Sequence, residues 1–340
     1  MLNRNLLVLK WRNLKLLKMN KNKIANVDYL DFSEGDADRR KKFIQEFGDS
    51  FSNMGFAIVK NHGVTAELKS KLFTVSKAFF ALPDAIKKGY ENEALHGQRG
   101  YISKNKESAK GKSVPDLKEF YHIGQTVTDN DPIKDEYPDN IWPQEVEAFN
   151  SVCKEVYDTF ETTGRNLLKA TALYLGLDEN YFDAKIHNGN SVLRLLHYYP
   201  VKDKSQIPEG AVRAAAHGDI NLITLLMGGS AEGLQAQTLE GEWISVSPAE
   251  DEIVINIGDM LARLTNNRFR STQHQVITPD EESWTKPRYS TPFFLHPRSD
   301  MDLTCLSNCV SAENPKEYSD ITAGEFLTER LIELGLRKEN

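Results

Sequence analysis

Cysteine is scarce in this sequence: there are three in 340 residues, Cys153, Cys305 and Cys309. So small and odd a number excludes a disulfide framework and fits a reducing compartment. The Cys305/Cys309 pair also lacks the second pair that a zinc site of this kind needs, which leaves all three as structural thiols. Long apolar runs are missing too. None approaches the ~20 residues that a membrane-spanning helix requires, so a cytoplasmic protein with no membrane partner is expected. Nor is there a surplus of positive charge: 42 Lys and Arg stand against 49 Asp and Glu, a net charge of −7. Such a chain presents no basic field to a phosphate backbone, which excludes nucleic acid as the main partner. Internal repeats and low-complexity tracts are absent, and the length fits one large domain or two ordinary ones.

The first 23 residues depart from this balance, carrying Arg4, Lys10, Arg12, Lys15, Lys18, Lys21 and Lys23 without an acid. The apolar stretch Leu6 to Leu9 is too short for a secretory core. Three readings stand: a start at Met19, a basic arm, or a transit peptide. Residues 1–23 are treated as a basic extension, disordered or a start-site artefact, and residues 24–340 as the folded domain.

Within that domain, Val27, Tyr29, Leu30 and Phe32 predict a short entering strand. Phe43, Phe47, Phe51 and Met54 recur at helical steps, closed by Gly55. Phe56 to Val59 predicts a strand, and Leu68, Leu72, Val75 and Phe79 a second helix. Residues 84–118 are polar and aperiodic, so they read as a loop; Arg99 and Tyr101 are its candidates for substrate contact. A long helix runs from Val146 through Phe160 to near Gly176. The 24–185 part is therefore helical. After about residue 190 short strands follow one another at 191–199, 219–227, 243–246, 252–257, 273–277 and 288–295. That pattern predicts an all-β sandwich or jelly roll over 186–300, not a parallel sheet. Residues 301–340 close with a helix from Ala323, where Thr322 and Glu325 stand at capping-box spacing.

The β-rich part also holds the residues with chemical promise. In His217-Gly-Asp219, side chains two apart on an extended chain point the same way, so an imidazole and a carboxylate converge. His274 supplies a third ligand several strands later. Two histidines and one carboxylate on one face of a metal are what non-haem Fe(II) oxygen chemistry requires. Arg288-Tyr-Ser290 sets a guanidinium fork and a hydroxyl side by side, suited to a carboxylate. By parity Phe294 joins Ser290 as a pocket candidate. Leu193, Leu195, His197 and Tyr199 share a strand face, which offers the Tyr199 phenol to the cavity and turns Arg194 away from it. Arg194 and Arg213 are further cations near the site in sequence. His296 competes with His274 as a ligand, and the motif around His274 favours the latter. Asp259, after Gly258, is expected to cap backbone donors.

These residues, in this order, resemble the isopenicillin N synthase-like family of Fe(II)/2-oxoglutarate-dependent dioxygenases. The likeness is carried by His217-x-Asp219, His274, Arg288-x-Ser290 and the His197-Tyr-Tyr199-Pro200 strand. Asn53-Met-Gly-Phe56, Asn61-His-Gly-Val64, Pro115-Asp-Leu-Lys-Glu-Phe120 and Val254-Ile-Asn-Ile-Gly-Asp259 add to it. The resemblance implies a double-stranded β-helix (jelly roll) core, mainly β with flanking helices. It implies Fe(II) on His217, Asp219 and His274, and 2-oxoglutarate held by Arg288, Ser290 and Tyr199. Many members carry Asn at the position of His197. The implied reaction is a hydroxylation, desaturation or ring closure of a small molecule with dioxygen (O2), releasing succinate and CO2, with ascorbate as a reductant. It is centred on iron, with no separate acid or base. Two alternatives stay open: an iron oxidase like isopenicillin N synthase or aminocyclopropane carboxylate oxidase that uses no 2-oxoglutarate, and a non-enzymatic jelly-roll binding protein. The expected partner is an anionic or amino-acid-like small molecule, met by a monomer or weak homo-oligomer. The C-terminal helix and the 84–118 loop are the expected cover over the pocket.

Overall fold

Three phenylalanines on one stripe organise the first long helix, α1 (Ala37–Asn53), whose N-terminus is capped by the Asp36 side chain accepting from the Arg39 amide. Phe43, Phe47 and Phe51 are buried, with neighbouring ring centroids 5.3 and 4.2 Å apart. Gly55 ends the turn at φ +67°, and a Cβ there would lie 2.2 Å from the Arg270 carbonyl, so glycine is required on both counts. The computed structural model describes residues 22–104, 106, 116–203, 205, 207, 212–228, 233–278 and 280–333. Residues 1–21 of the basic extension, Pro115 and the end of the 301–340 segment lie outside these.

Two further long helices, α2 (Ala66–Phe80) and α3 (Phe149–Tyr174), join α1. Among the described residues twelve strands follow one another: β1 (Ala25–Asp28), β2 (Phe56–Lys60), β3 (Gly100–Ile102), β4 (Glu119–Gly124), β5 (Val192–Tyr198), β6 (Ala214–His217), β7 (Ile223–Gly228), β8 (Leu234–Gln237), β9 (Trp243–Ser245), β10 (Glu252–Ile257), β11 (His274–Val276) and β12 (Arg288–Leu295). They form an eight-stranded sheet, in the order β1-β2-β10-β7-β12-β5-β4-β3, and a four-stranded sheet, β6-β11-β8-β9. The short helix α4 (Asp259–Leu264) follows β10, and α5 (Ala323–Glu333) closes the described chain.

Alternation along the strands separates two cores. Leu193, Leu195, Leu225, Ile255, Phe293 and Leu295 pack on the helices, with Phe47, Phe160 and Leu167. On the opposite face Phe56, Phe120, Leu196, Tyr198 and Val254 meet Ala214, Leu234, Ala236 and Val276 of the smaller sheet. Two sheets packed face to face, with helices on the outside of the larger one, make a jelly-roll core.

Several expectations need correction. Tyr29, Leu30 and Phe32 lie in a one-turn helix, started by Asp28 accepting from the Leu30 amide. The expected strand 219–227 begins only at Ile223, because Asn221 Nδ2 donates to the Ile223 carbonyl at 2.6 Å and bends the chain before it. Strands β6 and β8, with the sequences Ala-Ala-Ala-His and Leu-Gln-Ala-Gln, carry too little β propensity to be read in advance. The 84–118 segment is not all loop: it contains the helix Asp84–Lys88 and strand β3. The capping box is present, with Thr322 N donating to Glu325 Oε2 at 2.9 Å and Glu325 N to Thr322 Oγ1 at 3.3 Å.

Candidate metal centre and its pocket

His217 ends β6 and His274 begins β11, and the ladder pairs these two residues directly. Their ring centroids are 4.4 Å apart. Asp219 stands two residues past the end of β6, its Oδ1 4.0 Å from His217 Nε2 and 3.9 Å from His274 Nε2. Those distances are too long for hydrogen bonds. The three donor atoms nevertheless lie within 4.8 Å of one another.

The surroundings settle which atoms point inward. His217 Nδ1 donates to the Ala215 carbonyl at 2.7 Å and His274 Nδ1 to the Thr272 carbonyl at 3.2 Å, leaving both Nε2 lone pairs directed at the centre. Asp219 Oδ2 accepts from Thr224 Oγ1 at 2.6 Å and from Asn256 Nδ2 at 2.7 Å, which leaves Oδ1 for the shared position. Burial opposes ionisation of Asp219, yet the two imidazoles and these two hydrogen bonds hold its carboxyl below the usual range. Burial, then the neighbouring His274, pushes His217 down to about 4, so it is neutral at physiological pH. Two imidazoles and a carboxylate, each oriented by a neighbour, fit Fe(II) in a two-histidine, one-carboxylate site. Replacing Asn256 by Ala should weaken Fe(II) binding about 10- to 100-fold in a metal titration, because it removes one of the two donors that orient Asp219.

Arg288 is buried at the start of β12. Its Nη1 reaches Ser290 Oγ at 3.4 Å, and its guanidinium lies 5.1 Å from the Tyr198 ring centre. Among the described residues its Nε has no acceptor, and no carboxylate forms an ion pair with it. A buried cation without an anion costs several kcal/mol, roughly, unless one arrives. The site thus has the character of a carboxylate receptor.

Cross-strand register corrects the tyrosine. β12 pairs with β5 so that Arg288 opposes Tyr198, Tyr289 opposes His197 and Ser290 opposes Leu196. Tyr198, Leu196 and Arg194 therefore share the inner face. Tyr199 does not join them: Lys104 Nζ lies over its ring at 5.3 Å, on the side of the Glu119 carboxylate. His197 also faces outward, donating to Glu119 Oε1 at 2.8 Å and stacking on Tyr289. The residues expected to share a face do so, but that face is the outer one.

A cavity of about 490 Å³ adjoins the triad, lined by His217, Asp219, Arg194, Phe294 and His296 among others. Leu327, Arg330 and Leu331 of α5 form part of its wall, as do His96, Gln98 and Lys118 from the 84–118 region. Phe294 thus stands where parity placed it. Arg99 and Tyr101 do not line this cavity. Arg99 is buried against Gly124, where a Cβ would come within 1.9 Å of its guanidinium, and Arg99 Nη2 donates to Gln125 Oε1 at 2.6 Å. Tyr101 points to the outer face of β3, its hydroxyl donating to buried Glu119 Oε2 at 2.5 Å beside Lys87. His296 is a wall residue and no part of the triad cluster. Asp259 lines the pocket rather than capping α4, which has no side-chain cap bond, and burial raises its carboxyl.

The sequence reading missed Tyr198, Thr224, Asn256 and the inward aim of Arg194. One signal was available: Asn256 is the polar interruption in an otherwise apolar strand, Ile253 to Ile257. A second acid-histidine group, Asp129, Asp131 and His187, lies at the surface with Asp131 half-buried, and its carboxylates are already met by Asn188 and Arg298. No described helix is long and apolar enough to cross a membrane.

Comparison with known proteins adds to this geometry. Residues 27–145 match the family model described as non-haem dioxygenase in morphine synthesis N-terminal, and residues 189–297 match that of the 2OG-Fe(II) oxygenase superfamily. The chain is 32% identical to a proline hydroxylase from Petromyces alliaceus over 324 residues, covering 91% of this chain and 99% of that one. It is similar in structure to a 2OG-Fe(II) oxygenase family protein from Caulobacter crescentus, with 42% identity, a TM-score of 0.82 and coverage of 92% and 99%. A full-length Neurospora crassa protein in complex with alpha-KG and thymine matches with 31% identity, a TM-score of 0.81 and coverage of 91% and 96%.

Proposed function

Because the chain belongs to the 2OG-Fe(II) oxygenase superfamily, we propose that His217, Asp219 and His274 hold its iron and that Arg288, with Ser290 and Tyr198, holds its 2-oxoglutarate. The protein is an oxidoreductase that uses Fe(II), 2-oxoglutarate and dioxygen on a small-molecule substrate. Bound iron supplies the redox chemistry that couples decarboxylation of 2-oxoglutarate to oxidation of a substrate C–H bond, with succinate and CO2 as co-products.

The chain's own residues do the positioning. Asp219 and the two imidazoles present three fixed donors on one side of the metal position and leave its other side to ligands that come and go. Arg288 receives the distal carboxylate of 2-oxoglutarate in its guanidinium fork, Ser290 adds a hydroxyl, and the Tyr198 ring backs the fork. Leu327 and Leu331 keep bulk water from the reacting centre. The observation that carries this reading is the buried Arg288 guanidinium, which lacks an acid partner among the described residues and shares the inner sheet face with the triad's pocket.

Anaerobic calorimetry tests it. 2-Oxoglutarate should bind the Fe(II)-loaded protein more tightly than the chelator-stripped protein, because metal and Arg288 grip opposite ends of one molecule. Equal affinity with and without metal would separate the two sites and defeat the assignment.

The relatives act on or bind different molecules, a proline hydroxylase in one case and a thymine complex in another, so the substrate must be read from this chain's pocket. An anionic or amino-acid-like molecule is the class we favour. Residues 24–340 act as one domain in this reading, supported by the larger of the two apolar cores, which draws on residues from Val27 to Phe326. A cytoplasmic location fits the three buried free thiols. A monomer or weak homo-oligomer fits a described surface whose exposed large apolar side chains are Ile86 and Leu239.

A further inference from the structure

We infer that Arg213 is a second cation of the cosubstrate end, whose charge favours 2-oxo acids with a distal carboxylate over those without one. The inference rests on the dioxygenase reading above and adds a residue that decides which oxo acid is taken.

Arg213 immediately precedes β6 and is buried. Its guanidinium is fixed by carbonyls of two other segments: Nη1 donates to Tyr198 O at the end of β5 at 3.4 Å, and Nη2 donates to Ser283 O at 2.5 Å and to Lys286 O at 2.9 Å. Ser283 lies in the single turn Glu282–Thr285, and Lys286 stands two residues before Arg288, where β12 begins. The cation is thereby held at the point where Arg288 opposes Tyr198 across the two strands.

Aromatic rings complete the arrangement. Arg213 Cζ lies 5.6 Å from the centre of the Trp284 ring and 5.8 Å from that of Tyr198, and Arg288 Cζ lies 5.1 Å from the same Tyr198 ring. Two guanidiniums therefore share one ring, whose electron-rich face attracts each. Neither forms an ion pair with a carboxylate among the described residues. Burial, and after it the Arg288 charge, pushes Arg213 down to about 10, so it stays protonated at physiological pH.

Two like charges held near each other out of water repel, and carbonyls and rings offset this only in part. A carboxylate that reaches Arg288 relieves both cations at once. Arg213, already engaged with carbonyls, acts on it through the field of its charge. A 2-oxo acid ending in a methyl group gains nothing from either residue.

The test is anaerobic calorimetry on the full chain loaded with Fe(II), titrated with 2-oxoglutarate and with 2-oxopentanoate, which carries a methyl group in place of the distal carboxylate. Arg213→Gln, which keeps N–H donors for the carbonyls but loses the charge, should weaken 2-oxoglutarate binding about tenfold, the scale of one unit charge lost from a buried site. Binding of 2-oxopentanoate should stay as it was. Arg213→Met, a neutral variant of different shape, should lose as much as Arg213→Gln, so the outcome does not hang on the folding of one variant. Arg213→Lys, which keeps the charge without the fork, should recover most of the loss, a rescue that a merely structural arginine would not show. Unchanged 2-oxoglutarate affinity in the neutral variants, an equal loss for both acids, or an Arg213→Lys as weak as Arg213→Gln overturns the inference. Failure of 2-oxoglutarate to bind the parent, or undiminished binding in Arg288→Leu, would instead defeat the dioxygenase assignments, so the two failures are distinguishable.

Discussion

Asp219→Ala is expected to abolish succinate release and to lower Fe(II) affinity by more than about 100-fold, beyond the ~10- to 100-fold that loss of a ligand's hydrogen-bonding neighbour costs. The reason is geometric as well as chemical. Oδ1 is the only anionic donor of the triad, and Oδ2 anchors it to Thr224 and Asn256. Truncation removes the ligand and strands the buried Asn256 amide, which costs about 1–3 kcal/mol in stability, while Thr224 Oγ1 keeps Asn221 Oδ1 as an acceptor. A large domain tolerates that loss, so circular dichroism should report a folded protein with a somewhat lower Tm. Undiminished metal binding or turnover in such a folded variant would remove Asp219 from the site.

Arg288→Leu should act in two opposite directions. The concentration of 2-oxoglutarate needed for half-maximal succinate release should rise by about 10- to 100-fold, the worth of a charge-assisted bidentate contact. Without cosubstrate, however, the variant should be more stable than the parent by about 1 kcal/mol or more, because a buried cation lacking an acid among the described residues gives way to an apolar side chain. Thermal melts separate the two effects. The parent should gain Tm on adding 2-oxoglutarate by mass action, and the variant should start higher and gain little. A variant that melts lower than the parent and still gains Tm with the oxo acid would show that Arg288 is a structural residue.

How much of this was legible beforehand differs from one feature to the next. The helix of Phe43, Phe47 and Phe51 announces itself because 3.6-residue periodicity is a local property. The capping box at Thr322 is local in the same way. His217, Asp219 and His274 could be grouped because the chemistry restricts which residue types may meet, and the structure brings the three together across β6 and β11. The tyrosine was less accessible. Parity along β5 says that His197 and Tyr199 share a face, but which face looks inward depends on pairing with β12, a contact made about 90 residues later. Arg99 misled for a related reason. Its segment is polar and aperiodic, and nothing local reveals that Gly124 leaves the space its guanidinium fills. The break before β7 was hidden as well, since Asn221 interrupts the strand through a side-chain bond that a hydrophobicity pattern does not register.

The alternation along β5 also restricts how this enzyme can diversify. Arg194 and Tyr198 look inward while Leu193, Leu195 and His197 look outward. A one-residue insertion or deletion within the strand would exchange the two sets, placing leucines and an imidazole in the pocket and a guanidinium and a phenol against the helices. New side chains on the pocket face of this strand can therefore arise by substitution but not by a change of length, and Arg194 in the cavity wall is locked in step with Tyr198 opposite Arg288, four positions away.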